Sequence, residues 1–213
     1  MNLAERIKAI QGSRTFLTFN NNLKTFTYNI MPGITCPGKT PWCSDPETGE
    51  CYAMKGQFAL QTSRVALMKR TWWTFNGDFV DRAIKAITSA GVVRIHSAGD
   101  FYSNDYIEAW GEIIKKAKTS RLFAYTRSWR VPHLRLALEK LDHAKNFTLW
   151  FSMDPSIEKE DPDWKRIAYV EGTKGAAKPN CSKQIKKDKN KTNCLECGHC
   201  FNPRSRRVTF KIH

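Results

Sequence analysis

Long apolar runs are missing from this chain. No stretch of its 213 residues approaches the ~20 apolar positions that a membrane span needs, and the opening MNLAERIKAIQGSRTF has no apolar centre of the secretory kind. These absences predict a soluble protein of the cytoplasm with no membrane partner. Acidic residues are also scarce: 20 Asp and Glu stand against 35 Lys and Arg, a formal net charge of +15. Such an excess attracts nucleic acid or another polyanion without naming it. There is no Walker-type phosphate loop, and no paired histidines stand beside a Glu as in a metalloprotease helix.

Cysteine is present in an uneven, clustered set of seven, which a reducing compartment would keep as thiols. Cys36, Cys43 and Cys51 share one Pro- and Gly-rich loop, with six and then seven residues between them. Cys181 is followed after twelve residues by Cys194, Cys197 and Cys200 at intervals of three. Successive Cys-x-x-Cys steps completed by a distant fourth thiolate are an arrangement that iron–sulfur clusters use. Zinc also takes four cysteines, usually as two separate knuckles, and is the alternative. If Cys36, Cys43 and Cys51 hold three irons of a second cubane, the fourth iron is open to a ligand other than cysteine. A zinc site that only pins the loop is the other reading.

The middle of the chain is regular. From Asp78 to Met153, helical stretches with apolar residues three and four apart alternate with the short β-rich runs VVRIHSAGD, RLFAYTRS and NFTLWFSMD. The runs begin about 26 to 29 residues apart, as consecutive βα units with right-handed crossovers do. Ser103 and Pro132 are the entry signals of two of the helices. An earlier strand, TFTYNI, leads straight into the three-cysteine loop, and a helix begins near Thr62. RIAYVE and VTFKI are further strands of unassigned place. The expected class is α/β, a partial (β/α) barrel of mostly parallel strands over residues 1–172, with a Cys-rich, basic, metal-binding extension over 173–213 packed on it. A flat doubly wound sheet is the alternative.

In either architecture chemistry gathers at the carboxyl ends of parallel strands. That rule selects Ser97, Gly99, Asp100 and Tyr102 after one strand, Thr126, Arg127 and Ser128 after the next, and Ser152, Met153 and Asp154 after the third. Asp100 and Arg127 are the candidate catalytic residues; Ser97, Gly99, Asp100, Tyr102 and Ser128 are candidates for cofactor contact. His96 lies beside this group, while His133, His143 and His213 read as ordinary residues and His199 as a bystander within the knuckle. Trp72, Trp73 and Trp110 sit at spacings that mean core. The alternative to catalysis is a nucleic-acid-binding module held by its metal sites, using the basic run KQIKKDKNK, the cluster RSRR, Phe201, Trp129 and Arg130 for phosphate contact and stacking.

A three-cysteine loop after the first strand of an α/β barrel, followed by Tyr52 and a helix, resembles the radical S-adenosylmethionine superfamily. That resemblance implies two [4Fe-4S] clusters, S-adenosylmethionine chelated at the open iron, Ala98-Gly99-Asp100 near its amino group, and an electron-donating reductase as partner. The six-and-seven cysteine spacing departs from that superfamily's three-and-two. A likeness covering most of the chain is to the phage and plasmid family called gene product eighty-eight. It rests on NNNLKTFTYNIMPGITCPGKTPWC, CYAMKG, RIHSAGDFYSNDYIEAW, YTRS and the final knuckle, and it implies a mobile-element origin and a place in the host cytoplasm.

Overall fold

The computed structural model describes residues 16–45, 47–158, 164–185 and 193–212. Seven strands form one sheet: β1 (Thr18–Asn20), β2 (Thr25–Tyr28), β3 (Val92–Ile95), β4 (Arg121–Thr126), β5 (Phe147–Met153), β6 (Ile167–Val170) and β7 (Arg207–Phe210), side by side in chain order. β1 runs antiparallel to β2, and every later neighbour is parallel. The order never reverses, so this is not the doubly wound arrangement. β1 and β7 are the two edges, and among the described residues they do not pair with each other, so the sheet shows no barrel closure.

Strand-to-strand crossovers of one hand place successive helices on one face. α1 (Pro41–Ser44), α2 (Gln61–Trp73) and α3 (Phe79–Ile87) lie between β2 and β3, α4 (Asn104–Lys116) between β3 and β4, and α5 (Pro132–Leu141) between β4 and β5. The Ser103 hydroxyl accepts from the Tyr106 N–H at 3.2 Å and caps α4, while Lys115 and Lys116 sit in its last turn. α4 buries Tyr106, Ile107, Trp110, Ile113 and Ile114 against the sheet. With Tyr28, Ile95, Leu122, Ala124, Leu149 and Phe151 these make one core. Trp73 and Trp110 belong to it as expected, but Trp72 lies on the outer side of α2 and is 47% exposed.

The other face of the sheet has a smaller apolar cluster of Trp150, Ala168 and Val208, with Tyr125, Cys181 and Phe210 packed on it. Its cover comes from the Cys-rich segment, including α6 (Ser182–Ile185) and α7 (Cys194–Cys197). The Trp150 indole donates to the Cys200 carbonyl at 2.8 Å, and Phe201 packs on Phe123 at 5.9 Å between ring centres. β7, also from the region beyond residue 172, completes the sheet. Among the described residues no helix is long and apolar enough to cross a membrane.

One ion pair is enclosed beneath this frame. Asp142, at the end of α5, accepts from Arg166 Nη1 at 2.8 and 3.0 Å and from the Leu149 N–H at 3.0 Å, with both residues under a tenth exposed. Removing one partner of such a pair leaves a buried charge alone and costs about 3–5 kcal/mol. Asp142→Ala should therefore lower the urea midpoint by that free energy, and Asp142→Asn by less; an unchanged midpoint would contradict the pairing.

Candidate functional site

The three-cysteine loop leaves β2 and is fastened to the rim by close backbone contacts. The Ile30 N–H donates to the Ala98 carbonyl at 3.1 Å, and the Asp100 N–H to the Thr35 carbonyl at 3.1 Å. At Gly38 a Cβ would lie 2.0 Å from the Arg127 carbonyl oxygen, so only glycine lets the loop approach the β4 end this closely. Gly99 has φ +81°, and a Cβ there would meet Ile30 Cγ1 at 2.3 Å. Its requirement for glycine thus follows from packing against the loop. Thr40 caps α1: its hydroxyl accepts from the Cys43 N–H at 3.3 Å and donates to Asp154 Oδ2 at 2.8 Å.

Two buried carboxylates organise the rim. Asp100 Oδ1 accepts from the Phe101 N–H and the Thr126 hydroxyl, and Oδ2 from the Arg127 and Ser128 N–H groups, at 2.6 to 3.2 Å. Burial pushes its carboxyl pKa up against these bonds. A carboxylate has about four acceptor positions, and the chain fills that number here. Asp154, with no exposure, accepts from Arg127 Nε at 2.9 Å, from Thr40, and from the N–H and hydroxyl of Ser156. Burial opposes ionisation, but Ser156, Arg127 and Thr40 outweigh it and hold Asp154 below the usual carboxylate range.

The Arg127 guanidinium lies over the Trp42 ring at 5.8 Å, and its charge acts on the loop thiols Cys36, Cys43 and Cys51. Cys36 is pushed up to about 12 by burial, with the Asp100 charge adding to it. The Cys43 and Cys51 thiols act on each other: Cys43 is pushed up, while Cys51 is lowered to about 6 by Cys43, with the Ala53 N–H and Arg127 adding to it. Ser97 and Ser128, predicted near the site, are buried with unpartnered hydroxyls, and the Ser97 carbonyl accepts from Tyr52. Tyr102 turns toward the helices, where it bonds Thr74 at 2.5 Å and stacks on Tyr106.

The second group forms on the sheet's other face. Cys181, Cys194 and Cys200 are raised chiefly by burial, and the charges of Cys181, Cys194, Cys197 and Cys200 act on one another. Tyr125 acts on the Cys200 thiol and lowers it against that burial. All seven cysteines are free thiols. Among the described residues, however, no three His, Cys, Asp or Glu side chains are gathered tightly enough to hold a single metal ion.

Several expectations change. Trp129 is buried, stacked on Phe151 at 5.0 Å with its indole donating to the Ser152 carbonyl, and Phe201 is buried against Phe123; neither is an open stacking platform. Positions 186–191 of the basic run and His213 lie outside the described residues. His199 is structural, packed on Trp150 and bonded through Nε2 to the Arg207 carbonyl. His96 has φ +60°, which turns its ring away from the cysteines into the core, where Nε2 bonds the Tyr106 hydroxyl at 2.8 Å. Sequence reading missed Arg94, although a charged residue inside a strand flanked by Val93 and Ile95 was a signal.

The fold and site define an α/β protein with an open, mostly parallel sheet, one set of thiols in the loop at the strand ends and another in the segment on the second sheet face. The gene product 88 family model matches residues 3–207, so the chain belongs to that family. It is 29% identical to the gene 88 protein of Mycobacterium phage L5 over 205 residues, covering 84% of this chain and 82% of the relative. To the gene 88 protein of Mycobacterium phage D29 it is 27% identical over 206 residues, covering 81% and 80%. No solved structure matches it.

His96 generates a pH prediction. Burial, with Arg94 nearby, depresses its pKa to about 3, against 6.5 in the unfolded chain. The unfolded chain then takes up a proton that the folded one refuses, so stability is lost as pH falls from about 6.5 toward 3. At about 1.4 kcal/mol per pH unit between the two values, the loss reaches a few kcal/mol. His96→Asn, which tolerates the left-handed backbone, should flatten the dependence of urea stability on pH in this window; an unaltered slope would show that His96 is not its source.

Proposed function

We propose that this protein is an iron–sulfur protein whose reactive centre is held by Cys36, Cys43 and Cys51, with a second centre on Cys181, Cys194, Cys197 and Cys200. The observation that supports it is the placement of Cys36, Cys43 and Cys51 on one loop at the strand ends, pressed against the Arg127 turn at Gly38 and tied through the Thr40 cap to Asp154. Thiolates are the ligand form, and the donor set suits iron or zinc. Three cysteines around a cubane favour chemistry over a purely structural site. Such a centre would supply an open coordination position and an electron at low potential.

The chain's own groups have definable parts in this reading. Asp154 fixes Arg127 through Nε and fixes Cys43 through the Thr40 cap, so the guanidinium and the thiols are held as one unit. Arg127 is the group that pairs with a carboxylate or phosphate of the substrate or cofactor, S-adenosylmethionine included. Asp100 positions Thr126, Arg127 and Ser128 rather than reaching the cofactor, because its acceptor positions are used. The unpartnered hydroxyls of Ser97 and Ser128 remain for polar contact. An external reductase would deliver the electron. The nucleic-acid module is the weaker reading, since Trp129 and Phe201 are internal and the net charge alone supports it.

Protein purified without oxygen should contain about eight irons and matching sulfide per chain if both groups hold cubanes, and Cys43→Ser should lose about half of the iron. Electron paramagnetic resonance of the reduced protein should change on adding S-adenosylmethionine if the open position takes it. Stoichiometric zinc without sulfide would overturn the iron–sulfur reading, and an unchanged spectrum would remove the S-adenosylmethionine part.

A further inference from the structure

α2 leaves one side uncovered. Arg64, Met68, Trp72 and Phe75 follow one another at steps of four, four and three, the spacing of a single helix face. Met68 and Trp72 are exposed, and Phe75, just past the helix end, is 71% exposed. Phe75 is held by Tyr102, at 5.8 Å between ring centres, and the turn that carries it by the Asn76 amide, which donates to the Trp72 carbonyl at 2.8 Å. A cleft of about 410 Å³ opens here, lined by Trp72, Trp73, Asn76, Gly77, Asp78 and Arg82.

Cations stand behind this face. Lys69 is 2% exposed, and its Nζ is buried without a partner, 5.2 Å from the centre of the Trp73 ring. The Arg82 guanidinium, from α3, lies over the same ring at 4.9 Å. Arg70, also buried, donates to the Phe16 carbonyl at 3.1 Å and to the Thr18 hydroxyl at 2.7 Å. Among the described residues no carboxylate pairs with Lys69 or Arg70. Arg82 has Asp78 at 3.3 Å, an exposed pair of the kind that contributes little. Cations held out of water with no acid beside them make the cleft wall positive, so its complement is an anion.

We propose that this face takes single-stranded nucleic acid, with bases stacked on Trp72 and Phe75 and phosphates met by Arg64, Arg82 and the positive wall at Lys69. Planar apolar faces and negative charges alternate along such a strand, and the surface offers the match for both. The net charge of +15 supplies a long-range attraction that a polyanion feels and a neutral protein surface does not. From Met68 to Phe75 the helix advances about 10 Å, room for more than one base, which suits a strand over a free nucleotide. The aromatics expected to stack, Trp129 and Phe201, are internal, whereas Trp72, expected in the core, is the open ring. None of this depends on metal at either set of thiols.

Fluorescence anisotropy of short labelled oligo-dT and oligo-U strands, titrated with the full chain over a salt series, tests this, with circular dichroism as a folding control. Wild type should bind at least one of the strands, with affinity falling as salt rises. Trp72→Ala should weaken binding about ten-fold and Phe75→Ala by a similar factor, while Trp72→Phe, which keeps a ring, should retain most of it. Arg82→Gln should weaken binding and lower the slope of log affinity against log salt by about one. Leu136→Ala, another exposed apolar residue, on α5, should leave binding unchanged. If Trp72→Ala fails to fold, Phe75→Ala, at the more exposed position, decides by itself. No binding to either strand at low salt, or full affinity in the folded ring-to-Ala variants, would overturn the proposal. Thymidine or uridine monophosphate competing at the strand's own affinity would overturn it in favour of a free-nucleotide site. Self-association that Trp72→Ala abolishes, with no strand bound, would give the face to a second copy of the chain instead. Strand binding by protein that carries no iron would leave this inference standing and remove the iron–sulfur reading.

Discussion

Two buried carboxylates whose acceptor positions are taken by the chain hold the rim together. Asp100 joins the end of β3 to the turn after β4, and Asp154 joins the end of β5 to Arg127 and to the cap of α1. Buried carboxylates are tolerated only when their oxygens are bonded, so each acts as a clasp that is costly to open. The cysteine loop, Arg127 and three strand ends therefore move as a unit. The glycine at position 38, pressed against the Arg127 carbonyl, has no space to take a side chain.

Around this clasp the sheet has two unlike faces. Helices α3, α4 and α5 cover one with a continuous apolar core. The other is covered by a segment too polar and too short to form such a core, and it relies on Trp150, Phe201, Tyr125 and β7 for its attachment. Seven free thiols are divided between the strand ends and this second face, and Arg94 donates to the Tyr52 hydroxyl of the cysteine loop.

Much of this was legible beforehand because it depends on local chemistry. The βα alternation, the Ser103 cap, the Pro132 start of α5 and the placement of the cysteines after β2 follow from periodicity and capping, which act over a few residues. His96 was less legible: strand alternation places it on one face, and a left-handed backbone turns it to the other. Trp129 had the look of an exposed aromatic because its neighbours Arg127 and Arg130 are charged. Its burial depends on Phe151, a residue of β5 with no local signature in the turn.

By itself the sequence determined the α/β class, the strand-end location of the loop, the basic charge and the division of the thiols into three and four, since these are properties of order and composition. Tertiary structure alone decided that the sheet stays open, that Asp100 is consumed by its own neighbours, that Asp154 reaches back more than a hundred residues to Thr40, and that Arg94 lies over the Tyr125 ring. Each of these depends on which strands lie side by side and which face a residue meets. Pairing between distant segments is set by the packing of the whole core, and no short stretch of chain encodes it.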